Sequence, residues 1–313
     1  MPAPPEPPDE HRALAGKTAL VTGAYGDIGR HTAIGLARAG ATVIPAGRNT
    51  GKLDQLAADI AAQVPGAQVE PLHLDLADLD SIHRAARTVT DGGSPLDVLV
   101  NNAAVMPGSS RQTTADGFEL AFGTNVLGHY ALTGLLLTPL LAAPEARVIS
   151  LCAGPSNQRL DTSDLNSENR YRGGMRTYMA SKLADAVFAQ ELARLAAGTS
   201  VKSLTVSPGT AATGVQRHNA VIGFLAKYVF APITSTPEQA ARPALFAATE
   251  PGLASGALVT PGRLGGVKGH PAPRTVPDAF ADPDTGRALW QEAEQLTGIP
   301  YPFGAPSAAA DQA

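Results

Sequence analysis

The sequence predicts a single α/β domain: a doubly wound, seven-stranded parallel sheet with helices on both faces. Three observations predict it. Short apolar runs alternate along the chain with longer amphipathic stretches, the order of repeated strand–helix–strand units. A glycine-rich turn, Thr22-Gly23-Ala24-Tyr25-Gly26-Asp27-Ile28-Gly29, follows the first run and opens the first amphipathic stretch. The 313 residues carry no internal repeat and no central linker, and they suffice for one large domain with a well-buried core.

The strands read as Thr18–Thr22, Thr42–Ala46, Val69–Leu74, Val98–Asn101, Val148–Cys152, Val201–Val206 and Ala257–Val259. Each is short and apolar, as strands covered on both faces are. The helices read as Ile28–Ala39, Lys52–Gln63, Asp78–Thr88, Phe118–Leu141, Met175–Ala196 and Pro237–Ala248. Residues 212–235 have mixed character after the sixth strand and read as a substrate-loop insertion, because such loops cover the carboxyl ends of the strands. Residues 1–13 read as a disordered, Pro-rich tail, 14–300 as the domain and 301–313 as a flexible C-terminal tail.

Composition narrows the function. Hydrophobic residues make up 44% and charged residues 17%, an ordinary soluble profile, and the formal net charge of −4 argues against nucleic acid and anionic membrane surfaces. The single cysteine, Cys152, rules out a disulfide within the chain and fits a reducing cytoplasm. The N-terminus lacks the basic and apolar regions of a signal peptide. No run reaches the roughly 18 apolar residues of a spanning helix. The histidines show no metal-ligand spacing, so no metal site is expected, and no Gly-x-Ser-x-Gly elbow suggests a hydrolase.

The glycine turn makes the domain Rossmann-type. Gly23 and Gly26 permit close backbone approach, Tyr25 and Ile28 flank the turn, and the helix start attracts a pyrophosphate. Asp27 would repel phosphates, so its side chain is expected to face solvent. The second strand runs into Gly47-Arg48-Asn49; an arginine there suits the 2′-phosphate of NADP(H) rather than a ribose hydroxyl. Arg30 is a second candidate for the phosphates. Asp75-Leu76 after the third strand suits an adenine edge, and Asn102-Ala103-Ala104 after the fourth is a small-residue turn that lets a cofactor pass close to the backbone.

Tyr178 and Lys182 stand four residues apart. On a helix they share a face, and an ammonium beside a phenol lowers its pKa toward a working acid/base range.

With these motifs in view, the chain resembles the short-chain dehydrogenase/reductase family over Leu14 to Gly298. The resemblance rests on Thr22–Gly29, Asp75, Asn101–Ala104, Asn125, Tyr178, Lys182 and Pro208-Gly209 followed by Thr213. Within the family it is similar to the retinol-dehydrogenase-like branch, through Thr114–Leu120, Asn125–Tyr130, Asp164-Leu165, Leu289-Trp290 and Leu296–Gly298. The resemblance implies that Tyr178 exchanges the proton with the substrate oxygen. Lys182 lowers its pKa and holds the nicotinamide ribose, and Asn125 anchors a relay water. Pro208, Gly209, Thr210 and Thr213 join the cofactor contacts. It also implies a homodimer or homotetramer paired through the two longest helices.

Two departures stand out. The glycines are spaced as in the extended branch of the family. The family's catalytic serine after the fifth strand is replaced: counting from Arg147 places Ala153 there, and counting back from Tyr178 places Cys152. Neither supplies a hydroxyl, and a thiol is a weak donor. The expectation is a cytoplasmic, NADP(H)-dependent oxidoreductase acting on a ketone or alcohol of a small, mostly apolar molecule, with Tyr178, Lys182, Asn125 and Cys152 as its catalytic positions. Non-redox chemistry using Tyr178 and non-catalytic NADP binding are the alternatives.

Overall fold

The computed structural model describes residues 13–152, 154, 157–209, 235–263, 266 and 268–303. An eight-stranded sheet in the order β3-β2-β1-β4-β5-β6-β7-β8 forms its centre. The strands are β1 (Thr18–Thr22), β2 (Thr42–Gly47), β3 (Leu72–His73), β4 (Val98–Asn101), β5 (Ala146–Leu151), β6 (Val201–Val206), β7 (Leu258–Arg263) and β8 (Lys268–Arg274). The first seven are parallel, and β8 is an added antiparallel edge paired to β7. The strand order reverses between β1 and β4, the position at which open α/β sheets form their ligand crevice.

The helices are α1 (Asp27–Arg38), α2 (Thr50–Gln63), α3 (Leu79–Asp91), α4 (Gly128–Leu135), α5 (Leu137–Ala142), α6 (Gly174–Leu195), α7 (Pro237–Thr249), α8 (Asp278–Ala281) and α9 (Pro283–Thr297). Successive strand side chains point to opposite faces, so Leu20 and Leu99 enter one core with Ile82, Tyr130, Phe188 and Trp290. Val21 and Val100 enter the other with Ile34, Leu56, Ala244 and Val259. Helices thus cover the sheet on both sides.

Three elements differ from the sequence reading. Only a bridge at Val69 and the short β3 form over 69–74, because Pro71 between them has no N–H to give the ladder. The single helix expected over 118–141 is broken. Phe122–Leu127 is a π-turn, and α4 gives way to α5 at Leu136. Pro139 accounts for the second break, since its ring opposes the carbonyl four residues earlier. The expected tail also begins too early. Tyr301 is buried, and its hydroxyl donates to the Tyr130 carbonyl at 2.7 Å, so the packed domain runs past residue 300. The segment 1–12 and nearly all of 212–235 lie outside the described residues.

Candidate active site

A cleft of about 460 Å³ opens over the carboxyl ends of β1, β2, β4, β5 and β6. The glycine turn forms one wall. Gly23 has φ +62°, and a Cβ there would lie 2.9 Å from the Ala103 Cα. A Cβ on Gly29 would lie 2.5 Å from the Gly23 carbonyl oxygen and 2.7 Å from Asn102 Nδ2. Side chains at these positions would destroy the close approach of the two turns.

The turns are tied together through Thr22. Its Oγ accepts from the backbone N–H groups of Asn102 (2.9 Å) and Ala103 (3.0 Å), and Asn102 Nδ2 donates to the Thr22 carbonyl at 2.7 Å. Buried His129 extends the network. Its Nδ1 lies 2.6 Å from the Asn125 carbonyl oxygen and its Nε2 lies 2.9 Å from Thr22 Oγ. This pattern fits a neutral imidazole that donates through Nδ1 and accepts from the threonine hydroxyl. Burial, aided by the charge of Lys182, holds the His129 pKa down at about 3.

Helix α6 supplies the opposite wall. Tyr178 and Lys182 both line the cleft, with Cys152 at the end of β5 and Pro208 after β6. Lys182 is buried, and its Nζ donates to Asp185 Oδ2 at 2.7 Å. Burial works to lower the lysine pKa, but the charges of Asp185 and Tyr178 overcome it and the net direction is upward. Burial pushes the Cys152 thiol up to about 12, so it is neutral at ordinary pH. Ala153, the other candidate for the serine position, lies outside the described residues.

Tyr25, Gly26, Asp27, Ile28, Arg48, Asp75, Leu76, Asn102, Ala103 and Ala104 also line the cleft. Asp27 is half-buried at its edge, rather than turned fully to solvent. Asn49 does not line it. Its side chain accepts from the Lys52 N–H at 2.9 Å and caps α2. Arg30 turns away and pairs with Asp59 at 2.6 Å. Asn125 lies buried below the cleft: its Nδ2 donates to Ser181 Oγ (2.8 Å) and the Val105 carbonyl (3.1 Å), and its Oδ1 accepts from Val105 N–H (2.8 Å). It braces the floor between the two walls. Gly209 has φ +74° and does not line the cleft; Thr210 and Thr213 lie outside the described residues.

Lys52, Thr124 and Asp185 were missed in the sequence. Lys52 stands at the cleft rim, with Nζ 5.5 Å from the Tyr25 ring centroid. Its signal was its place one turn after Arg48. Asp185 had a signal too, three residues after Lys182 on the same helix. Thr124 had none.

The cleft fits a dinucleotide on its own geometry. The N-cap of α1 is Gly26, whose missing side chain leaves the first-turn N–H groups to a ligand. The Thr124 Oγ lines the cleft, buried and without a hydrogen-bond partner among the described residues. A polar group in the cleft would satisfy it. Arg48 and Lys52 add two cations at the rim.

Comparison with known proteins agrees. The sequence pattern of the short chain dehydrogenase family matches residues 17–220. Retinol dehydrogenase 13 of Homo sapiens is 36% identical over 296 residues, covering 92% of this chain and 87% of the relative. Retinol dehydrogenase 11 of Mus musculus is 38% identical over 243 residues, covering 77% and 76%. The crystal structure of an uncharacterized protein from Mycobacterium Paratuberculosis superposes with a TM-score of 0.73 at 35% identity, covering 92% of this chain and 96% of that one. A structure described as an NAD(P) dependent gluconate 5-dehydrogenase from Beutenbergia cavernae, with NADP bound at low occupancy, gives 0.61 at 28% identity, covering 77% and 92%.

Proposed function

The chain belongs to the short-chain dehydrogenase family, and from that premise we propose that it is an NADP(H)-dependent oxidoreductase interconverting a ketone and an alcohol on a small, mostly apolar molecule. One observation carries this reading: Tyr178 and Lys182 line the same cleft as the glycine turn and the uncapped start of α1. A proton-exchanging group and a polyanion site thus share one cavity.

In this reading the N–H groups of α1 hold the pyrophosphate, Arg48 and Lys52 face the 2′-phosphate, and Lys182 binds the nicotinamide ribose. The bound nicotinamide supplies hydride chemistry. Tyr178 donates its phenolic proton to the carbonyl oxygen during reduction and takes it back during oxidation. The names of the retinol dehydrogenases and the NADP of the Beutenbergia cavernae structure support an apolar alcohol and the phosphorylated cofactor. The exposed Met175 and Met179 on α6 support pairing of copies as a homodimer or homotetramer, which sedimentation would test. A cytoplasmic location belongs to the same reading, and cell fractionation would test it.

The neutral, buried thiol of Cys152 favours a second reading, acid/base chemistry at Tyr178 without net redox turnover. The loss of NADPH absorbance over a panel of apolar ketones separates the two. We expect turnover in the wild type and at least a hundredfold loss in Tyr178→Phe. Cys152→Ser should raise ketone reduction about tenfold, part of what one oxyanion donor supplies. Absence of ketone reduction in both wild type and Cys152→Ser, with NADP(H) still bound, would leave the non-redox reading.

A further inference from the structure

We propose that Asp185 is a positioning residue for the Tyr178–Lys182 pair: its buried carboxylate is the counter-ion of the Lys182 ammonium and, by offsetting that charge, keeps Tyr178 in the phenol form that can donate a proton. The inference rests on the reading of Tyr178 as the acid/base group.

Helix α6 places Tyr178, Lys182 and Asp185 at i, i+4 and i+7, along one face. Lys182 Nζ donates to Asp185 Oδ2 at 2.7 Å, and the two side chains are only 6% and 4% exposed. Water therefore screens neither charge well. One of the three ammonium protons is spent on Asp185. The other two are left for the cleft that Lys182 lines. A phenol beside a lone ammonium is drawn toward phenolate. A phenol beside an ion pair meets a dipole, whose field falls off faster, and the carboxylate itself opposes a second anion. Asp185 thus moderates the activation that Lys182 would otherwise exert.

Two buried titratable groups near the pair add no charge to it at neutral pH. Cys152 faces it from just past β5, with its thiol pushed up to about 12 by burial. His129 faces it from α4, with its imidazole held down at about 3 by burial and by Lys182. Both are neutral through the range in which a tyrosine ionises. The Asp185 carboxyl, raised to about 6 by burial against the pull of Lys182, is ionised above that pH. Lys182 and Asp185 are the buried charge pair of α6, and Lys182 shares the cleft with the phenol; Arg176, the other charge within a turn of Tyr178 on this helix, is exposed.

The test needs no substrate, so it does not depend on whether the oxidoreductase reading holds. Phenolate absorbance in the near ultraviolet is titrated in the full-length wild type, Tyr178→Phe, Asp185→Asn and the double variant. The component that Tyr178→Phe removes isolates Tyr178 in each background. We expect it to develop about one pH unit lower in Asp185→Asn than in wild type. Asp185→Glu, which keeps the carboxylate, should titrate where wild type does. A purely structural role for Asp185 would leave this component unmoved. An unmoved component, or one displaced to higher pH, overturns the proposal. Should Asp185→Asn not fold, Lys182→Gln/Asp185→Asn removes both charges together. The proposal then expects the Tyr178 component within about one unit of wild type, because the pair largely neutralises itself. A larger upward displacement would show that Lys182 acts as a lone cation and would overturn it.

Discussion

The phenol of Tyr178 and the cations of the cleft rim share one cavity because the turns after β1 and β4 leave room for it. That room depends on absent side chains: a Cβ at Gly23 or Gly29 would collide with the neighbouring turn. Arg48 and Lys52 flank the resulting opening, and both are exposed. An exposed ion pair is worth less than a buried one, so in the proposed reading each would contribute about 1 kcal/mol to binding a 2′-phosphate. Arg48→Ala should therefore weaken NADPH binding about fivefold and leave NADH unchanged. Arg48→Ala/Lys52→Ala should abolish the preference. Calorimetric titration with both cofactors checks this, and an undiminished preference in the double variant would remove these cations from the assignment. At this scale the sequence was legible wherever spacing dictates direction. The glycine turn, Tyr178 and Lys182 all line the cleft. It was illegible where a side chain chooses between local partners. Asn49 turned to cap α2 and Arg30 turned to Asp59.

Aromatic rings hold helix α9 to the rest of the domain. Trp290 stacks on Phe188 of α6, with ring centroids 5.8 Å apart and planes at 18°. It also meets Tyr130 edge-on at 5.1 Å and Tyr301 at 4.6 Å. The Tyr130 hydroxyl donates to the Ile299 carbonyl at 3.1 Å and the Tyr301 hydroxyl returns to the Tyr130 carbonyl, so the C-terminal segment closes the cluster. Through Phe188 the cluster braces the helix that carries Tyr178. Trp290→Ala should cost about 3–5 kcal/mol, measured by urea unfolding, because it opens a large cavity among buried rings. A loss below 1 kcal/mol would show that the cluster does not hold α9 in place. The parallel strands and their helices were legible because apolar runs of fixed length alternate with amphipathic ones. The antiparallel β8 was not. Its sequence, Lys-Gly-His-Pro-Ala-Pro-Arg, carries two prolines that are tolerable only at a sheet edge, where one side of the ladder needs no partner. The π-turn at Phe122–Leu127 was equally hidden, since its wide turn is set by what lies around it: Glu119 Oε2 takes the Phe122 N–H at 2.8 Å, and a Cβ at Gly128 would lie 2.5 Å from the Leu76 carbonyl oxygen.

Across the whole molecule, two buried groups beside the cleft make opposite contributions to stability as pH falls. His129 has its folded pKa depressed from 6.5 to about 3 by burial, so below 6.5 the unfolded chain takes up a proton that the native state refuses. Stability from this group is present above 6.5 and is lost toward about pH 3, at roughly 1.4 kcal/mol per pH unit. Asp185 behaves in the reverse sense. Burial raises its folded pKa from 3.8 to about 6, so in that window the native state binds the extra proton and gains stability as pH falls. Between about pH 6 and pH 4 the two slopes oppose each other, and these two groups buffer the wild type against acid. Glu145, held at about 2 mainly by Lys202 and Arg147, adds its own loss at low pH, but its side chain is 41% exposed and solvent screens it. That contribution is common to wild type and variant and cancels in a comparison. Asp185→Asn removes the compensating slope and leaves that of His129. Urea unfolding at about pH 6 and about pH 4 should show Asp185→Asn losing roughly 2–3 kcal/mol more than wild type over that interval. Equal losses would mean that Asp185 is ionised throughout, held so by Lys182 despite its burial. The optical titration of Tyr178 and this acid profile thus examine the same carboxylate through two unrelated observables, one local to the cleft and one belonging to the entire fold.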